Sequence, residues 1–254
     1  MVELSMEEKK RECLELLKYI DRVCRENEIG YFLAYGTLLG AVRHRGFIPW
    51  DDDVDIMVPF EQFEKLMTAL KANDRGYILY DYTDGNAQSW GSMYSKLDNG
   101  TTFCIDELNG ARVPGISVDI FPLIFCKGKS VKKLAGCERM NTRMFSFETG
   151  RYKNCLKKIV YGIWNRLGNT HKHYLYKFNR LAKDRGNKVY FADLKQETIL
   201  SAENFETSEM QFAGSAFFVP KQYDKILEVL YGDYMALPPE NERVGHNPVF
   251  WKEK

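Results

Sequence analysis

The chain has 254 residues, 44% of them hydrophobic, with 36 Lys and Arg against 35 Asp and Glu. That length buries a sizeable core, and the balanced charge means that the protein as a whole is neither an acidic nor a basic partner. No apolar run approaches the ~20 residues that span a bilayer, and the N-terminal MVELSMEEKKREC lacks a basic-then-apolar signal, so a cytoplasmic, soluble protein is expected.

The six cysteines (Cys13, Cys24, Cys104, Cys126, Cys137 and Cys155) form no C-x-x-C pair and no zinc-ligand spacing, which fits a reducing compartment better than a disulfide framework. Charge is unevenly spread. Lys127 to Lys188 holds 17 basic and 3 acidic residues, an excess of +14, which leaves 19 basic against 32 acidic, or −13, elsewhere.

In chain order, Ser5 followed by Glu8 predicts a capping box, and Leu14, Leu17, Ile20, Val23 and Cys24 recur at helical spacing, so a helix is expected from about Ser5 to Asn27. Tyr31 to Ala34 reads as a short buried strand running into Gly36-Thr37, with Leu38 to His44 helical. Asp53 to Val58 has strand character, and Phe60 to Lys71 is helical after Pro59. Further strands are expected at Tyr77–Tyr82, Met93–Leu97, Thr101–Ile105 and Ile116–Phe121, divided by turns at Asp84-Gly85-Asn86 and Asn99-Gly100. Asn99-Gly100 between Leu97 and Thr101 predicts a β-hairpin. From about Ser130 to Asp184 the pattern is helical and basic. A helix near Gln222–Leu230 precedes Tyr231-Gly232-Asp233 and Pro238-Pro239, which prevents further helix. The order describes an α+β core followed by a helical basic portion.

The stretch GTLLGAVRHRGFIPWDDDVDIMV (Gly36–Val58) concentrates the chemistry. Alternate side chains of a strand share a face, so Asp53 and Asp55 project together while Val54 and Ile56 enter the core. Adjacent carboxylates repel, and a divalent cation such as Mg²⁺, held by one or two carboxylates and substrate phosphates, relieves that repulsion. Asp119 is a lone carboxylate in the apolar run Ser117-Val118-Asp119-Ile120, a costly placement without a metal or a hydrogen-bonding partner. Were its strand to neighbour the first, three Asp would hold a two-metal site for in-line phosphoryl displacement. Gly36-Thr37, at a strand-to-helix junction, offers backbone N–H groups to a phosphate. Asp51 reads as a turn or capping carboxylate or as a further ligand, and Pro49-Trp50 as a turn.

These motifs resemble the LicD family, a phosphocholine-transferase group that is itself similar to the fukutin-related proteins. The resemblance rests on AYGTLLGAVRHRGFIPWDDDVDIMVP (Ala34–Pro59), VDIFPL (Val118–Leu123) and YGDYMALPPENERVGH (Tyr231–His246). The last departs slightly from the family form at Ala236-Leu237 and at Asn247. Lys127 to Phe218 carries no motif that matches. The resemblance implies a nucleotidyltransferase-like mixed β-sheet core flanked by helices, with a helical basic appendage. The expected division is a catalytic core over 1–126, a basic helical region over 127–188 and a C-terminal part over 189–254 that packs back on the core. It further implies transfer of a phosphorylated headgroup, typically phosphocholine from CDP-choline, to a surface glycan precursor such as teichoic acid or lipopolysaccharide. Asp53, Asp55 and Asp119 become ligands of Mg²⁺ or Mn²⁺, and Gly36 and Thr37 the donor-phosphate seat. A nucleotidyltransferase acting on a nucleoside triphosphate and a non-catalytic nucleotide- or glycan-binding member are the alternatives.

Arg43, with His44 and Arg45 beside it, is a candidate for nucleotide phosphates or for pairing with the nearby acids. Lys96 is a candidate for charge on the leaving phosphate, against an ordinary ion-paired role. Arg243 and His246 follow the Pro-Pro turn and are candidates for substrate contact, against docking of the tail. A choline headgroup needs an aromatic face, for which Trp50, Trp90, Tyr94 and Phe103 are candidates. His171 and His173, without carboxylate neighbours in sequence, read as surface residues. The basic region has three readings: a solvated helical surface, a site for an anionic acceptor, a lipid-linked one included, and a peripheral contact with an anionic membrane through Ile159, Val160, Ile163 and Trp164; Tyr161, Trp164 and Leu167 with Ile159 and Ile163 read equally as an ordinary core face. No nucleic-acid motif accompanies it, so nucleic acid is not an expected partner.

Overall fold

A computed structural model of the chain describes residues 1–72, 75–83, 92–105, 110, 112–152, 154–190, 202–245 and 249–253. The elements run β1 (Val2–Glu3), α1 (Met6–Glu26), β2 (Phe32–Leu33), α2 (Tyr35–His44), β3 (Val54–Pro59), α3 (Phe60–Lys71) and β4 (Ile78–Tyr80). They continue with β5 (Ser95–Asp98), β6 (Thr102–Ile105), β7 (Arg112–Pro114), β8 (Ser117–Cys126), α4 (Gly128–Glu148), α5 (Cys155–Arg166) and α6 (His171–Ala182). Last come β9 (Lys188–Tyr190), β10 (Thr207–Phe212), β11 (Ser215–Pro220), α7 (Tyr223–Tyr231) and β12 (Trp251–Lys252). The fold is α+β. Two compact units are present, one of Met1–Tyr80, Lys96–Phe121 and Glu203–Lys254, the other of Asp81–Ser95 and Pro122–Ala202.

In the first unit the main sheet has the order β2-β3-β8-β5-β4. The capping box opens α1: the Ser5 hydroxyl accepts from the Glu8 N–H at 3.3 Å and the Glu8 carboxylate accepts from the Ser5 N–H at 2.8 Å. The inner stripe of α1 buries Cys13, Leu16, Leu17, Ile20 and Cys24, and α3 buries Phe63, Leu66, Met67 and Leu70. Val54, Ile56 and Val58 of β3 are fully buried, as period-two alternation requires. A second sheet, β1-β12-β6-β7, is antiparallel throughout and pairs the two ends of the chain, Glu3 opposite Trp251.

The Asn99-Gly100 hairpin expected from the sequence does not form. β5 pairs with β4 and β8, whereas β6 pairs with β7 and β12, so the turn joins strands of different sheets. The Asn99 side chain explains the change of direction: its carbonyl accepts from the Thr101 and Thr102 N–H groups, both at 3.1 Å, and from the Thr102 hydroxyl at 2.8 Å. Gly100 takes a φ of 68°, where an added Cβ would lie 2.4 Å from the Gly76 carbonyl oxygen. A two-residue hairpin forms instead at β10–β11, closed by Ala213-Gly214 at φ 50° and 82°, the signature of a type I′ turn.

In the second unit, Ile124–Cys126 at the end of β8 pair antiparallel with β9. α4 and α6 pack on each other around Leu134, Met144 and Phe178, all fully buried. His171 has a carboxylate neighbour after all. Glu148, at the end of α4, accepts from the His171 N–H at 3.0 Å and bonds its Nδ1, a contact across 23 positions that local spacing does not reveal. No helix among the described residues is long and apolar enough to cross a membrane.

Candidate active site

The sheet order sets the site. β3, β8 and β5 are neighbours, so Asp55, Asp119 and Lys96 stand on three adjacent strands, and Asp53 immediately precedes β3. Lys96 Nζ donates to both carboxylate oxygens of Asp119, at 2.6 and 2.7 Å, with both side chains mostly buried. The Ser117 hydroxyl lies 3.5 Å from Asp119 Oδ1.

Negative charge is crowded here. Burial, followed by the carboxylates of Asp53, Asp119 and Asp51, holds Asp55 well above the ordinary carboxylate range, and Lys96 offsets part of that rise. Burial likewise raises Asp119, against the pull of Lys96, and the Asp53 charge adds to the rise. Burial also holds Asp51 above the ordinary range, against a hydrogen bond it shares with Asp53, and the Asp52 charge adds to the rise. Asp51, Asp53, Asp55 and Asp119 are thus close enough for their charges to act on one another. Asp51, which the sequence left open as a turn carboxylate or a further ligand, continues the period-two series 51, 53, 55 back through the turn in which its N–H donates to Ile48 O at 3.0 Å. Asp52 points the other way, is buried, and pairs with Lys9 at 3.5 Å.

α2 begins one residue before Gly36, with Ala34 as its N-cap and no side-chain cap bond, so Gly36 and Thr37 occupy its first turn. The Thr37 hydroxyl accepts from the Asp55 N–H at 2.8 Å, which fixes the height of β3 against α2. A Cβ on Gly36 would lie 2.8 Å from Asp51 Oδ2, so the glycine makes room for the carboxylate. At the other end of α2, Arg43 donates to the Tyr234 and Ala236 carbonyls at 2.9 and 3.2 Å. Arg243 donates to Pro238 O at 2.9 Å and lies 5.6 Å from the Trp50 ring centroid. Both arginines thus order the C-terminal segment against α2 and Trp50.

That segment brings a residue the sequence reading passed over. Tyr231 is 44% exposed as a residue, yet partial burial of its phenol and then the Asp55, Asp51 and Asp53 carboxylates push that phenol up, which sets a neutral hydroxyl beside these charges. Its position at the head of YGDYMALPPENERVGH was the available signal. Of the aromatic candidates, Trp50 stacks with Arg243 and Phe103 carries Arg112 at 4.1 Å over its ring. Tyr94 belongs to the second unit, and Trp90 and His246 lie outside the described residues.

Crowded hard oxygen donors whose charges raise one another are what a divalent cation relieves, and their chemistry suits Mg²⁺ or Mn²⁺. Here Lys96 provides the local positive charge, and no three His, Cys, Asp or Glu among the described residues stand in ligand geometry. The donor set fits such an ion in chemistry, with Asp119 held by Lys96.

Residues 28–154 match the family profile LicD/FKTN/FKRP, nucleotidyltransferase domain. Across 263 aligned residues, covering 97% of both chains, the protein is 27% identical to the lipopolysaccharide cholinephosphotransferase LicD of Haemophilus influenzae. Shorter stretches match uncharacterized proteins of Rickettsia typhi, 40% over 68 residues, and Rickettsia prowazekii, 49% over 47 residues. These cover 26% and 18% of this chain, and 22% and 18% of those relatives.

Proposed function

The chain belongs to the LicD family, and on that premise we propose that it is a phosphotransferase moving phosphocholine from CDP-choline to a hydroxyl of a cell-surface glycan precursor, with Mg²⁺ or Mn²⁺ as its cofactor. The reaction class is carried by one observation, the convergence of Asp51, Asp53, Asp55 and Asp119 with Lys96 beside the first turn of α2. The headgroup and the lipopolysaccharide-like acceptor follow from the end-to-end similarity to a cholinephosphotransferase.

In the transfer, the acceptor oxygen bonds to the choline-bearing phosphorus, the bond from that phosphorus to the CMP oxygen breaks, and the hydroxyl proton leaves to a carboxylate of the cluster. Asp53, Asp55 and Asp119 would hold the divalent ion, which supplies charge neutralisation for the attacking and leaving oxygens. Lys96 lies within reach of the same charge; drawn from Asp119, its ammonium stabilises the departing phosphate. Tyr231 offers a neutral O–H to a phosphate oxygen on the side of Asp51 and Asp55. The N–H groups of Gly36 and Thr37 in the first turn of α2 would give the donor phosphates a seat with favourable helix-end charge. Buried β3 and the Thr37 bond hold Asp55 in place, so little reorganisation accompanies reaction.

Calorimetric titration of CDP-choline with Mg²⁺ or Mn²⁺, repeated with chelator and beside CTP and CDP-ribitol, tests the reading. Metal-dependent binding selective for CDP-choline is the expected result. Preference for CTP would turn the assignment to nucleotidyl transfer, and equal binding with chelator would remove the cofactor.

A further inference from the structure

We propose that α5 is an interfacial docking helix that lays its outer face on an anionic lipid bilayer. The inference goes beyond the transfer reaction and stands on a different part of the molecule. Leu156, Ile159, Val160, Ile163, Trp164 and Leu167 recur at helical spacing, and each is between 42% and 73% exposed. α5 itself buries no residue completely. Six exposed apolar side chains in one stripe are not a scattered surface population; they form a continuous face.

The helix is nevertheless anchored, and by its other side. Tyr161 stacks on Tyr152 with centroids 5.1 Å apart, and Gly162 sits where a Cβ would be 3.6 Å from the Phe147 ring of α4. The Asn154 side chain caps the N-terminus by accepting from the Lys157 N–H at 3.1 Å. The Trp164 indole N–H donates to the Tyr174 hydroxyl at 2.9 Å, which places this ring at the edge of the stripe with its polar end satisfied. A folded, capped helix therefore presents its apolar face outward.

Charge selects the occupant. At 100° per residue, Lys157 and Arg166 fall on opposite borders of the stripe, where long cationic side chains reach phosphate headgroups while their stems stay apolar. The surrounding 127–188 segment carries 17 basic residues against 3 acidic ones. A second copy docking through the same face would bring two such surfaces together, so like-charge repulsion disfavours it, whereas an anionic leaflet is complementary. Twelve residues make a helix of about 18 Å, too short to span a bilayer and suited to lie in its interface.

The test is flotation of the full chain with vesicles of phosphatidylcholine alone and of phosphatidylcholine with phosphatidylglycerol, together with light scattering of the lipid-free protein. Wild type should float with the phosphatidylglycerol vesicles and be released by salt. Leu156→Glu with Ile163→Glu, and the milder Leu156→Ser with Ile163→Ser, should each weaken binding by roughly tenfold or more. Both pairs should keep wild-type CDP-choline binding and thermal melting, a readout that fails separately if the transferase reading fails. Failure of wild type to float, or flotation of the variants like wild type, would overturn the proposal. So would a wild-type dimer that the same variants split, since a second copy would then cover the face.

Discussion

The aspartate strand and the basic helices treat charge in opposite ways. Around β3 and β8, like charges are brought together in a mostly buried recess, and each makes the next harder to ionise. Across α4, α5 and α6, basic residues are dispersed over solvent-facing positions. Crowding of like charge in a core is unfavourable for folding, so it marks a place where stability is lower than the sequence permits. Dispersed charge on helices marks a surface whose effect comes from its sum.

The largest expected effect breaks the aspartate side of that contrast. Asp55→Asn keeps the side-chain shape and the backbone N–H that bonds Thr37, and removes a charge from the cluster. Transfer of phosphocholine should fall by roughly a thousandfold or more, the order expected when electrostatic stabilisation of a phosphoryl transition state is lost. In chelator, the same variant should unfold at higher urea than wild type, by about 1–2 kcal/mol, because the repulsion is gone. Loss of activity with loss of stability would instead make Asp55 a structural residue.

The same contrast explains which features local sequence carried. The Ser5–Glu8 box, the α3 stripe and the Val54-Ile56-Val58 alternation are decided within a few residues, and the structure follows them closely. Asp53, Asp55 and Asp119 were visible because a carboxylate in an apolar strand contradicts its surroundings. Long-range partners were less legible. Asn99-Gly100 has hairpin chemistry, yet the Asn99 side chain bonds Thr101 and Thr102 and sends the chain to another sheet. The β10–β11 hairpin went unread because its turn is Ala-Gly rather than Asn-Gly. Tyr231 joins the aspartates from 176 positions beyond Asp55, and no local period encodes that meeting.

A smaller effect sharpens the comparison through pH. Asp98 at the end of β5 is buried, and burial pushes its carboxyl up to about 6, against the N–H groups of Gly100 and Gly115 and the charge of Lys96. Its folded value lies above the roughly 3.9 of an unfolded chain, so the native state holds the proton more tightly. The associated stability is fully present below about pH 4 and is lost as pH rises through about 6. By neutral pH that loss is on the order of 3 kcal/mol. Asp98→Asn should flatten this window, so that the gap between variant and wild-type urea midpoints widens from pH 4 to 7. A constant gap would show that Asp98 does not titrate there. Exposed Lys172, changed to Gln as the control from the basic helices, should leave the profile unaltered.

The smallest effect compares one substitution in a helix of each region. Gly40 in α2 has no space: an added Cβ would lie 2.5 Å from the Gly46 carbonyl oxygen, and backbone cannot step aside cheaply. Gly40→Ala should therefore cost about 2 kcal/mol, and by shifting α2 it should also weaken CDP-choline binding. Gly162 in α5 would meet only the Phe147 ring, at an ordinary 3.6 Å. There the gain in helix propensity wins, and Gly162→Ala should stabilise the chain by about 0.5–1 kcal/mol. The two signs separate close approach from mere flexibility as the reason for a helical glycine. If both variants were destabilised alike, α5 would have to lie tighter against α4 than its Phe147 contact allows, and the freely presented outer face would lose its anchored inner one.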